Sequence, residues 1–286
     1  MNLGILASGN LGLDVLTKLY SIYNILFIAT DNSSQGIVDF GMENNILLFK
    51  GNPRNGNAFN VLAKTDIDVL VSINYLFLIE EDLISLPRKI AINIHGSLLP
   101  KYRGRTPHVW AIINGEKESG ITIHEITCGC DEGNIIDQLV IPIEADMTGG
   151  ELLDLFSQNY FPLIISALRL IENDQIKFKF QNEEKATYFG KRKPTDGMID
   201  WNWQAERIVN WVRAQACPYP GAFTFYKDTK VIIDKLSICD YGFHYEKKNG
   251  TILSIDPLII KCPNSAIKIV ALRDRTIKFE KNNNFI

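Results

Sequence analysis

Short apolar runs separated by stretches of helical spacing fill the first hundred residues. Residues 3–7, 25–29, 69–73 and 90–94 carry no charged side chain, the pattern of strands buried on both faces. Between them, residues 11–19 and 80–86 space their apolar positions as one face of a helix. Strands alternating with helices in this way predict an α/β fold with a mainly parallel, doubly wound sheet. Residues 108–114 then read as a helix, residues 121–126 as a two-faced strand, and residues 150–172 as a long helix that tolerates Pro162 as a kink. After Ala205 the pattern changes. Residues 206–215 read as a docking helix, and beyond it lie only strand-like pieces at 222–226, 231–238, 250–255, 258–261 and 266–272. That spacing predicts a small C-terminal β domain, barrel-like in its turns. The polar tail, residues 281–284, is expected to fray.

Composition narrows the class. Of 286 residues, 46% are hydrophobic and 22% charged, as in ordinary soluble globules, and the length suits one large and one small domain. No apolar run reaches membrane-spanning length, and the N-terminus lacks a basic, signal-like segment, so no membrane association and a cytoplasmic location are expected. Five scattered cysteines fit a reducing compartment. A net charge of -3 weighs against nucleic acid as a partner. The one basic cluster, Lys191-Arg192-Lys193, suits either a phosphate site or a solvated loop.

Candidate chemistry starts at the end of the strand beginning at Ile90. Residues two apart in a strand point the same way, so Asn93 and His95 share a face at its carboxyl end. An amide donor and an imidazole thus converge. The turn Ala7-Ser8-Gly9-Asn10-Leu11-Gly12 departs from G-x-G-x-x-G only at its first position, and Asp31 ends the second strand. Alone, those features suggest an NAD-dependent oxidoreductase. They are equally the glycines of any tight βα turn. Cys128-x-Cys130 with His124 lacks zinc-site spacing, and no metal is expected. His124 reads as a structural residue of its strand, and His108 as a residue that either packs or lines a cleft. Trp201, Trp203 and Trp211 are read as interdomain packing.

The segment 92–104, with Asn93-Ile94-His95 followed by Gly96-Ser97-Leu98-Leu99-Pro100-Lys101-Tyr102-Arg103-Gly104, resembles the signature of 10-formyltetrahydrofolate-dependent formyltransferases. Asp131 in Cys130-Asp131-Glu132-Gly133-Asn134-Ile135 matches the family's second loop, and the segments 196–201 and 218–223 resemble its linker and C-terminal entry. Residues 104–115 are most similar to the nucleotide-sugar N-formyltransferases. The resemblance implies a Rossmann-like catalytic domain at 1–197 and a linker helix with a small β domain at 198–286. It implies Asn93, His95 and Asp131 as catalytic residues, and a folate co-substrate held at Tyr75, Leu76, Phe77, Leu78, Ile126, Gly129 and Cys130. It places a nucleotide-linked amino sugar at Gly9, Asn10, Arg105, Thr106, His108, Lys191 and Arg192. The expected acceptor is dTDP-4-amino-4,6-dideoxyglucose or its 3-amino isomer, destined for the O-antigen of a bacterial lipopolysaccharide, and a homodimer is expected. Methionyl-tRNA formyl transfer is the alternative within the family.

Overall fold

A computed structural model describes residues 1–274 and 276–286. The chain forms two compact units, one of residues 1–104, 120–141 and 155–189, the other of 105–119, 142–154 and 190–286.

The first unit begins with β1 (Asn2–Ala7), α1 (Gly9–Tyr20), β2 (Asn24–Thr30), α2 (Gln35–Glu43), β3 (Leu47–Lys50), α3 (Phe59–Leu62), β4 (Val69–Ile73), α4 (Glu81–Ile84) and β5 (Ile90–His95). After β6 (Arg103–Gly104) and α5 (Pro107–Ile113) come β7 (Glu118–Glu125), β8 (Ile135–Pro142), α6 (Gly149–Glu172) and β9 (Tyr188–Phe189). The sheet runs β3-β2-β1-β4-β5-β7-β8. Its pairs are parallel from β3 to β5, and β7 then runs antiparallel to β5. This is a Rossmann-like, doubly wound sheet, and the order reverses between β1 and β4. The apolar runs are buried as their composition demands: Leu3, Ile5, Leu6, Val69, Leu70 and Val71 are fully enclosed. The helix expected at 80–86 contracts to the single turn of α4. Two edge strands escaped the pattern, β3 because it is four residues long and β8 because it is mostly half-buried and mixed in polarity.

The second unit is built on α7 (Ala205–Ala214) and a five-stranded antiparallel sheet of β10 (Ala222–Tyr226), β11 (Thr229–Cys239), β12 (Ile252–Ile255), β13 (Leu258–Lys261) and β14 (Ala266–Leu272), in the order β10-β11-β14-β13-β12. The expected fraying of residues 281–284 is wrong. Phe285 is buried, stacked on Trp201 and edge-on to Tyr226 and Phe279, and Ile286 exchanges both backbone hydrogen bonds with Phe225. An aromatic anchor immediately after a polar run overrides the propensity of that run. The tryptophans build this unit: Trp201 donates to Thr224 Oγ1, Trp211 to the Gly197 carbonyl, and Trp203 packs edge-on to Trp211. Among the described residues, no helix is long and apolar enough to cross a membrane.

Candidate active site

Asn93 and His95 close β5, and the antiparallel register of β7 sets His124 directly opposite Asn93. The chain then turns through Gly96 and returns at residues 102–104, where two backbone groups reach into the site. His95 Nε2 donates to the Tyr102 carbonyl at 2.8 Å. A carbonyl only accepts, so Nε2 carries the proton and Nδ1 faces Asp131, 3.6 Å from Oδ2. The Gly104 N–H donates to the same Oδ2 at 2.8 Å. Gly104 has φ +99, and a Cβ there would lie 2.4 Å from the Phe189 carbonyl oxygen, so only glycine brings this amide to the carboxylate. Asp131 itself is left-handed, at φ 56.

His124 joins the group. Its Nδ1 donates to the Glu125 carbonyl at 2.6 Å, and its Nε2 lies 3.1 Å from Asn93 Nδ2 and 3.6 Å from Asp131 Oδ1. Unprotonated, Nε2 accepts from the amide; protonated, it donates to the carboxylate. In the neutral ring, Nε2 therefore holds the Asn93 amide. Burial pushes the Asp131 carboxyl up, but the charge of His95, the His124 imidazole and the Gly104 N–H outweigh it and hold it well below the usual carboxylate range. Burial and the Asp131 charge push the Tyr160 hydroxyl the other way, so it stays protonated. The cluster therefore gathers an amide N–H, two imidazoles and an ionised carboxylate, with the amide 3.1 Å from one ring and each ring 3.6 Å from the carboxylate, the set that stabilises a developing oxyanion and removes a proton.

The two segments assigned to the folate lie on one apolar cluster, against which both Tyr75 and Ile126 pack, and Cys128 Sγ donates to Glu81 Oε2 at 3.1 Å. Leu76 and Leu78 are 40% and 47% exposed rather than core. Among the described residues, the backbone groups of Tyr75, Phe77, Leu78 and Ile79 make no hydrogen bond. An apolar ledge with unpaired backbone donors and acceptors fits a planar heterocycle that is apolar on its faces and polar at its edge. Gly129 is closed against the Glu132 carboxylate, and Cys130 donates to Asp131 Oδ2 at 3.4 Å. Among the described residues no group of three or more His, Cys, Asp or Glu could hold a metal ion.

The dinucleotide reading loses its two supports. The Gly9 N–H is capped by Ser34 Oγ at 2.8 Å, and the Asp31 carboxylate is occupied by the Ser33 and Ser34 hydroxyls and the Ser33 N–H. Asn10 is exposed at the start of α1.

The remaining sugar candidates lie in the second unit. Thr106, Arg192, Lys193, Gln215 and Tyr219 line one pocket there, and Thr106 Oγ1 is buried without a hydrogen-bond partner. Arg105 and Lys191 are exposed. The Arg192 guanidinium is clamped between the rings of Trp110 and Trp211, at 4.9 and 4.4 Å, and donates to the Asp196 carbonyl and Gln215 Oε1. That makes Arg192 a wall of the pocket, with its charge already shared. His108 lies under it, 2.6 Å from the Tyr219 hydroxyl, and burial lowers its pKa to about 4.

Known proteins share stretches of this sequence and this fold. The formyl transferase family profile matches residues 30–168, and that of the formyl transferase C-terminal domain matches residues 191–286. The bifunctional polymyxin resistance protein ArnA of Wigglesworthia glossinidia brevipalpis is 35% identical over 270 residues, covering 92% of this chain but only 41% of that protein. Among solved structures, WlaRD, a sugar 3N-formyl transferase seen with dTDP and 5-N-formyl-THF, superposes with a TM-score of 0.69 at 21% identity, covering 96% of this chain and 98% of its own. An N-formyltransferase of Helicobacter canadensis, in complex with folinic acid and dTDP-3-aminofucose, gives 0.68 at 20% identity over 93% of this chain and 98% of its own. With both domain profiles matched in order along the chain, this protein belongs to the formyl transferase family.

Proposed function

We propose that the chain is a cytoplasmic, homodimeric N-formyltransferase that moves the formyl group of 10-formyltetrahydrofolate onto the amine of a dTDP-linked 4-amino- or 3-amino-dideoxyhexose used in a bacterial surface glycan. The observation that carries this reading is the meeting of β5, which supplies Asn93 and His95, with the Asp131 loop: the Asp131 carboxylate faces His95 and His124, and His124 in turn holds the Asn93 amide. When bound, the folate supplies the formyl carbon and leaves as an amine. Asn93 donates its second amide hydrogen to the formyl oxygen as negative charge develops there, an interaction typically worth about 2.7–4 kcal/mol. His95 Nδ1 takes the proton released as the new C–N bond forms, and Asp131 stabilises the resulting imidazolium. The proton passes on to the departing folate nitrogen through His95 or water. The pterin edge would be held by the backbone groups of Tyr75, Phe77, Leu78 and Ile79 and by the loop at Ile126, Gly129 and Cys130.

For the sugar nucleotide, Thr106 and His108 are the proposed neutral contacts, and Arg105 and Lys191 the cations for its phosphates. Arg192 supports that pocket. Gly9 and Asn10 are the sugar contacts proposed on the first unit. The catalytic residues fall within 1–197, and 198–286 carry the linker helix and β domain. The test is direct: protein incubated with 10-formyltetrahydrofolate and a panel of nucleotide amino sugars should yield a product heavier by one formyl group in place of hydrogen. Product from charged initiator tRNA, with none from any sugar, would transfer the reading to methionyl-tRNA.

A further inference from the structure

Arg103, the arginine of the signature loop, is fully buried, and all five of its N–H groups are engaged. Nε and one terminal nitrogen donate to Gln181 Oε1 at 3.1 and 2.8 Å, the terminal nitrogens to the two oxygens of Glu183 at 2.9 and 2.6 Å, and the last N–H to the Tyr188 hydroxyl. An arginine so saturated has no hydrogen left for a ligand. What it does instead is read from Gln181. The amide accepts from Arg103 on its oxygen, so its nitrogen must donate, and it does so twice, to the carbonyls of Asp131 at 2.8 Å and Gly133 at 2.7 Å. The first carbonyl belongs to the residue whose carboxylate faces His95 and the second lies two residues on, and Asp131 sits in the left-handed conformation, which costs a non-glycine residue energy.

The same strap holds the other half of the site. Thr187 accepts the Arg103 N–H on its carbonyl and the Tyr102 N–H on its hydroxyl, both at 2.8 Å, and β9 pairs with β6. The reciprocal hydrogen bonds of Lys179 with Ile135 bring Gln181 to the loop. We propose that Gln181 is a positioning residue for the reaction: it couples the Arg103 guanidinium to the backbone of the Asp131 loop and so keeps the carboxylate on His95 and on the Gly104 amide. This rests on the formyl-transfer reading of the site.

Gln181→Glu tests it cleanly, because the carboxylate retains the bonds from Arg103, and with them the fold, while losing both donors to the loop. Gln181→Met removes both sides. In both variants the Gly104 amide should exchange with solvent faster than in the wild type. The kcat should fall by about 10- to 100-fold with KM for folate and sugar nearly unchanged, the scale of a misplaced catalytic group. A generally loosened protein would lose melting temperature and raise both KM values as its activity fell. Gln181→Glu protein with wild-type kcat and wild-type Gly104 exchange would overturn the positioning role, whereas wild-type protein that formylates nothing would overturn the functional reading itself.

Discussion

Asp31 and Asp131 follow strands of the same sheet unit, both are largely buried, and both carboxyls are held well below the usual range against the upward push of burial. Their neighbours differ. Asp31 takes its donors from Ser33 and Ser34, two and three residues along the same turn, and those hydroxyls have no charge to gain or lose. Asp131 takes its partners from β5, β7 and the loop at Gly104, and two of them are imidazoles. A depressed carboxyl pKa alone therefore separates nothing here. The chemistry lies in the partners: fixed dipoles make a lock, whereas titratable rings make a proton path.

The contrast is broken most directly by Asp131→Asn against Asp31→Asn. The first should lower kcat by about 10²- to 10⁴-fold, the usual contribution of a positioned acid–base group, while the second should leave turnover per folded molecule near wild type. Equal losses in single-turnover assays would erase the distinction. A smaller effect concerns stability. Both carboxyls have folded-state pKa values below their unfolded ones, so their stabilisation is present above about pH 4 and is lost as pH falls through that region. Removing the lock in Asp31→Asn should flatten the fall of melting temperature below pH 4, which thermal scans across that range would read. Smallest is the contribution of His108 in the second unit, neutral by burial with a pKa lowered from 6.5 to about 4. Its unfolded form binds a proton that the folded form refuses, so stability should decline as pH drops from about 6.5 to about 4. His108→Gln should flatten that slope. A wild-type melting temperature indifferent to pH in this window would contradict the assignment.

Strand periodicity was enough to put Asn93 and His95 on one face, because that relation is local to β5. His124 was passed over because its relevance depends on a cross-strand register, and alternation along β7 tells which face it takes but not what stands opposite. Arg103 and Gln181 were invisible for a similar reason: the guanidinium's partners lie about eighty residues on, in a polar stretch with no periodicity of its own. Arg192 shows the same limit of reading along the chain. Three basic residues in a row read as a charge cluster, yet two indole rings from other helices determine what the middle one does. The Rossmann-like sheet and the small β domain were legible because buried apolar runs repeat over many residues. The tail was misread because one phenylalanine outweighed four polar neighbours.

The reversal of strand direction at β7 carries an evolutionary consequence. Asn93 meets His124, and His95 meets Thr122, only in one alignment of β5 with β7. A shift by a single residue would bring Ile123 or Glu125 opposite Asn93 and turn the imidazole to the other face of the sheet. Lineages of this chain can therefore exchange the hydrophobic side chains of β7 for others that pack but cannot change the number of its residues. A one-residue deletion between Gly120 and His124 would disarm the site while every one of its members remained in the gene.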